Sequence, residues 1–241
     1  VIERIELNII DVCNRSCSFC PRGNGYKNTS KRLTIEDSKI LGKRLEGYNN
    51  IVSVSGLGEP LLHKEFVQVL DNAIPTSASK VVLITNGDYL TPEKYNEIKH
   101  IFTDIKVSLY DEDNSEYFKS FITETNLEFN HYYNGPTNTV NRVEIFKNVG
   151  KTTGSECYIP FYKLFIDFDL KTYLCSNDWS KRAPTGDLKV QSLDEAWNSE
   201  EFNKYRKDLK KGIRKMFPCN NCSVCGILEG KEHFNNFGEE K

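Results

Sequence analysis

Cys13, Cys17 and Cys20 stand at spacings of four and three within CNRSCSFC (13 to 20), directly after an apolar run, and no fourth thiol follows nearby. A cluster of four irons and four sulfides takes a thiolate on each iron, so three adjacent thiols leave one iron open to an outside ligand. A Cys3His zinc site is the rival reading. Closed zinc sites usually pair short Cys-x2-Cys knuckles, however, and the nearest histidine, His63, is far along the chain. Five further cysteines, Cys157, Cys175, Cys219, Cys222 and Cys225, fall in the last third, and the middle has none. A chain of 241 residues does not need disulfides. In a reducing compartment, short-spaced thiols more often hold metals or clusters.

The elements that must position these thiols alternate. IERIELNII (2 to 10) is rich in β-branched residues and predicts a strand leading into the cysteine loop. TIEDSKILGKRLEGY (34 to 48) has a Thr cap, early acids and apolar residues at helical spacing. NIVSVSG (50 to 56) reads as a strand, KEFVQVLDNA (64 to 73) as a helix and KVVLIT (80 to 85) as a buried strand. A helix from Thr91 to His100 precedes strands at DIKVSLY (104 to 110) and NLEFNHYY (126 to 133). Such alternation predicts a parallel sheet with helices outside it. Ligands of these sheets collect at the carboxyl ends of the strands, where the chain places the cysteine loop, GLGEP (56 to 60), TNGD (85 to 88) and Ser108.

From 134 to 156 the composition turns to Asn, Thr and Gly and the alternation stops, which predicts one unit over 1–145 and a second over 146–241. In the second, YKLFIDFDLKTYLC (162 to 175) reads as a hairpin, 193 to 212 as one amphipathic helix, and the last dozen residues as a frayed polar end. A net charge of −2 supplies no global field toward nucleic acid or an anionic membrane. No run approaches the roughly 20 apolar residues that span a bilayer, and the N-terminus lacks a signal-peptide pattern. A soluble, cytoplasmic protein is expected.

Cys13-x3-Cys17-x2-Cys20, with Phe19 before the last Cys, resembles the radical S-adenosylmethionine (SAM) superfamily. GEP (58 to 60), TNG (85 to 87) and VSLY (107 to 110) follow in that family's order. The resemblance implies a partial (β/α) barrel and an open iron that chelates the amino and carboxylate groups of SAM. It also implies that the reduced cluster cleaves SAM to a deoxyadenosyl radical, with an external reductant such as flavodoxin or ferredoxin supplying the electron. It places Gly58 and Glu59 at the methionyl amino group, Phe19 at adenine and Ser108 near the ribose. As a plain turn and a strand-end hydroxyl, GEP and Ser108 would have no such roles. The usual core has six strand-helix units; here the alternation fades after about five, which predicts a shortened core with a wider lateral opening.

Cys157, the hairpin, Cys175, GDLKVQSLDEAWNS (186 to 199) and CNNC (219 to 222) resemble the SPASM/twitch extension of that family. The resemblance implies one auxiliary four-iron cluster on Cys157, Cys175, Cys219 and Cys222. Cys225 could replace Cys222, be a buried thiol, or join Cys219 and Cys222 in a zinc knuckle. A fully ligated cluster suits electron transfer, so the implied reaction removes hydrogen from a hydroxyl-bearing carbon of a small sugar- or cyclitol-like substrate and passes on the second electron. The short dehydrogenases of aminoglycoside biosynthesis in this family match the length and cysteine layout best. They draw attention to Arg142, which could orient a substrate hydroxyl or assist its proton loss; a surface Arg is the plain alternative.

Tyr132 and Tyr133 could line the cavity, though packing is the default for tyrosines. The basic run from Lys204 to Lys215 reads as a solvated helix face. Trp197 reads as a core anchor, and His63, His100, His131 and His233 show no ligand spacing. Rival functions are a peptide-modifying maturase, a redox-neutral radical enzyme, and a non-catalytic iron-sulfur or zinc protein.

Overall fold

The structure, a computed structural model, describes residues 1–132 and 156–238. Its first part alternates as β1 (Arg4–Leu7), α1 (Ile35–Arg44), β2 (Ile51–Val54), α2 (Phe66–Ala73), β3 (Lys80–Thr85), α3 (Pro92–Ile98), β4 (Asp104–Leu109), α4 (Ser115–Lys119) and β5 (Asn126–His131). Thr34 caps α1 by accepting from the Asp37 amide at 3.0 Å, with acids in the first turn and Lys43 and Arg44 in the last. Thr91 caps α3, and Pro92 opens it. These five strands and four helices match the expected shortened core.

The second part runs α5 (Ile159–Tyr162), β6 (Lys163–Ile166), β7 (Lys171–Tyr173), β8 (Pro184–Asp187), α6 (Leu193–Trp197), α7 (Glu200–Lys210) and α8 (Lys231–Asn236). All eight strands form one open sheet in the order β5-β4-β3-β2-β1-β6-β7-β8, parallel from β5 through β6 and antiparallel beyond. The expected hairpin exists, but it is not confined to a separate appendage. β6 lies beside β1, with Leu7 flanked by Val54 and Ile166. All three side chains are buried in one apolar core that continues to Phe168, Leu174 and Phe202. The expected boundary near residue 145 lies outside the described residues.

Three other expectations change. The single helix over 193–212 is two, because Ser199 interrupts it and caps α7 through the Phe202 amide, while Ser192 and Glu195 form a capping box on α6. The basic run is not uniformly solvated. Arg206 is fully buried, with its guanidinium 3.8 Å from the Trp197 and Phe202 rings and bonded to the Pro160 and Trp197 carbonyls. The polar C-terminal end is not frayed through 236, since α8 seats Phe234 against Tyr158 and Phe161. Trp197 is buried as expected, and His63 is buried with its ring bonded to the Leu33 carbonyl. No helix among the described residues is long and apolar enough to cross a membrane.

Candidate functional site

A cavity of about 350 Å³ opens at the carboxyl ends of β1 to β5, and Cys13, Cys17, Cys20, Phe19, Gly58, Glu59 and Ser108 all line it. The sheet therefore brings together these seven residues expected at the front site. The cysteine loop is held by two arginines. Arg15 bonds Asp88 after β3 at 2.6 Å and Asp111 after β4 at 2.8 Å. Arg22, almost wholly buried, pairs with the equally buried Asp11 at 2.8 Å and donates to the Leu57 carbonyl at 2.7 Å. A buried charge is tolerated when it is paired and hydrogen-bonded in this way. Both anchors tie the loop to strand ends, and Arg22 also bonds Asn28 within the loop.

Gly58 is required by close approach. A Cβ there would collide with the carbonyls of Ile10 and Val12, the segment that enters the cysteine loop. Glu59 is buried, and its carboxylate accepts from the Leu61 amide at 3.1 Å, the Thr85 hydroxyl at 2.7 Å and the Asn86 amide at 2.8 Å. Burial raises its pKa despite those three bonds. The side chain thus fastens the loop after β2 to the end of β3. Phe19 stacks on Tyr110 at 5.8 Å and Tyr132 at 5.5 Å, forming one aromatic wall of the cavity. Asn130 bonds Ser108 at 3.5 Å.

The sequence did not point to Glu6, Asn86, Tyr110, Asn130, Ser176, Asn177 or Trp179, which also line the cavity. TNGD was noted as a loop, and Asn86 within it reaches 3.9 Å from the Cys13 sulfur. Tyr110 ends the noted VSLY segment, so its place one residue beyond β4 was the available signal. Glu6 and Trp179 carried none, because only the pairing of β1 with β6 brings their elements together. Tyr133 and Arg142 lie outside the described residues.

Behind this cavity Cys157, Cys175, Cys219 and Cys222 line a second, small apolar pocket with Leu174, Pro218 and Val224. Cys225 is exposed and does not line it. Gly226 packs on Cys157, 2.5 Å from its sulfur for an added Cβ. All eight cysteines are free thiols. Burial, then the neighbouring thiols Cys222, Cys219 and Cys157, push the Cys175 pKa far up; burial and Cys157 push Cys219 to about 12, and burial and Cys20 push Cys17 to about 11. Thiols gathered so closely resist ionising together, and a cationic iron-sulfide core removes that penalty. Among the described residues no three His, Cys, Asp or Glu side chains converge on a single-ion site. By the number and grouping of their thiols both sets fit a multi-iron group, three-sided at the front and four-sided at the rear.

An open, mainly parallel α/β sheet with three thiols at its mouth and four behind is the architecture of an iron-sulfur radical enzyme. Residues 7–152 match the radical SAM superfamily and residues 157–225 match an iron-sulfur cluster-binding domain, SPASM; the chain belongs to the radical SAM superfamily. The S-adenosyl-L-methionine-dependent 2-deoxy-scyllo-inosamine dehydrogenase of Niallia circulans is 23% identical over 257 residues, covering 97% of each chain. Among solved structures, BtrN in complex with AdoMet and 2-DOIA shares the fold at TM-score 0.81, with 19% identity over 97% of this chain and 98% of that one. Native anSMEcpe with bound AdoMet shares it at TM-score 0.60, with 12% identity over 98% and 96%. The chain is thus a SAM-dependent iron-sulfur enzyme with an auxiliary-cluster extension.

Proposed function

We propose that this enzyme dehydrogenates a hydroxyl-bearing carbon of a small polar, cyclitol- or sugar-like substrate. The observation that carries the reading is a shared wall: the open cavity and the rear thiol pocket are both lined by Asn177, two residues beyond Cys175. A hydrogen-abstraction site thus borders a site for an electron acceptor. The relative of Niallia circulans, matched over nearly all of both chains and named a 2-deoxy-scyllo-inosamine dehydrogenase, supports the substrate class.

In this reading Cys13, Cys17 and Cys20 hold the open cluster, and Cys157, Cys175, Cys219 and Cys222 hold the closed one. When bound, the first supplies the electron that splits SAM to a carbon radical and the second accepts the electron left on the substrate. The residues do the remainder. Gly58 lets the loop after β2 press against the entry to the cysteine loop, which would set its backbone at the methionyl group, and Glu59 keeps that loop in place. Phe19 and Tyr110 form the wall against adenine, with Ser108 at the ribose. Glu6, Ser55, Asn86 and Asn130 offer donors and acceptors to a polyol, while Tyr132 and Trp179 exclude water from a reactive centre. Arg142 is the proposed group for orienting a hydroxyl or assisting its proton loss. A flavodoxin or ferredoxin is the proposed reductant, and a reducing cytoplasm suits eight free thiols.

The test is anaerobic turnover of the reconstituted enzyme with SAM, dithionite and 2-deoxy-scyllo-inosamine deuterated at its hydroxyl-bearing carbons. Deuterium is expected in 5′-deoxyadenosine, with one ketone formed per deoxyadenosine. Deoxyadenosine without deuterium or ketone contradicts the substrate class. Deuterium transfer from a labelled peptide instead would favour the maturase reading.

A further inference from the structure

Beside the substrate cavity lies a buried ion pair whose cation, Lys163, has no role in the reaction as described. Glu6 on β1 lines the substrate cavity, and its Oε2 is 2.6 Å from Lys163 Nζ on β6; the side chains are only 13% and 16% exposed. The ladder continues Lys163 toward the rear thiols. Phe165 faces Tyr173 across the β6–β7 pair, so extending the antiparallel register by two residues sets Lys163 opposite Cys175. Consistent with that placement, Lys163 and Cys175 interact electrostatically, and Ser176, the next residue, hydrogen-bonds Glu6. The order in space is therefore substrate cavity, Glu6, Lys163, Cys175.

We infer that Lys163 is a positioning residue for electron transfer: its ammonium, moderated by Glu6, raises the potential of the rear cluster so that it accepts the substrate's electron. The inference rests on the auxiliary-cluster reading above. One-electron reduction adds one negative charge to a buried site, and a fixed cation beside a ligand stabilises the reduced state, the more so where little water screens it. Glu6 opposes that field, its carboxylate lying 2.6 Å from the ammonium. The two members of the pair should therefore act on the cluster with opposite signs.

The experiment is an EPR-monitored redox titration of the full chain carrying Cys13, Cys17 and Cys20 all changed to Ala, so that only the rear cluster reports. In that background Lys163→Met is expected to lower the reduced-to-oxidised ratio at a fixed potential by about tenfold, a fall of about 59 mV for one electron. Glu6→Gln, which keeps the side-chain shape, is expected to shift the ratio the other way, and Lys163→Arg to stay near the parent. Circular dichroism and iron content check that each variant folds and is loaded. Should Lys163→Met fail to fold, Glu6→Gln and Lys163→Arg decide alone. Four irons per chain with potentials unmoved, or moved in one direction by both Lys163→Met and Glu6→Gln, overturn the inference and leave the auxiliary cluster standing. A parent background that holds no iron overturns both.

Discussion

At the scale of single residues, the site depends on a few buried charges. Arg22 and Asp11, each side chain only 3% exposed, hold the cysteine loop to the strand end. Removing one partner strands the other, a change that costs about 3–5 kcal/mol. Arg22→Met is therefore expected to lower unfolding stability by that amount in urea titration and to reduce iron retention at the front site. Unchanged stability would show that the loop is held by its thiols alone. The cysteines, Gly58 and Ser108 were legible in the sequence because a thiol spacing, or a place at or just beyond a strand's carboxyl end, is local information. Glu6, Trp179 and Asn177 were not, because they enter the cavity through the β1–β6 pairing, which joins segments more than 150 residues apart. Glu59 was legible as a site residue, but its three internal hydrogen bonds became visible only when β3 was placed beside β2.

At the scale of elements, strand alternation and helix caps were legible, since both are written in short-range patterns. β3 matches its expected range to the residue. The helix over 193–212 was misread because its apolar spacing continues through Ser199, while the cap that splits it depends on a single hydroxyl. Ser199→Ala is expected to cost about 1–2 kcal/mol, seen as a lower urea midpoint, with α6 and α7 drawn toward one frayed helix. α8 escaped notice because its one buried anchor, Phe234, sits in a polar run. Phe234→Ala should cost about 3–5 kcal/mol and loosen iron at Cys157, which borders the same aromatic group. Asp104, where β4 begins, links β3 and β5 through Lys80 and Asn126; although burial opposes it, these partners hold its pKa below the ordinary 3.8. Its contribution is present above that value and lost as pH falls through the lower folded one. The stability gap between wild type and Asp104→Asn should therefore narrow in urea titrations taken below about pH 3.8, and a gap that widens on acidification contradicts the assignment.

For the whole molecule, one continuous sheet sets the distance between two chemistries. The parallel strands gather the front thiols, and the β6–β7 hairpin, joined to β1, carries Cys175 to the second pocket, which shares Asn177 with that cavity. The account requires that a single chain hold two four-iron clusters on separate thiol sets. The direct measurement is iron and labile sulfide per chain after anaerobic reconstitution, for wild type and for the variant with Cys13, Cys17 and Cys20 all changed to Ala. About eight irons in the wild type and about four in the variant are predicted. About four in the wild type and none in the variant would mean that the rear thiols hold no cluster, and the dehydrogenation would lose its electron acceptor.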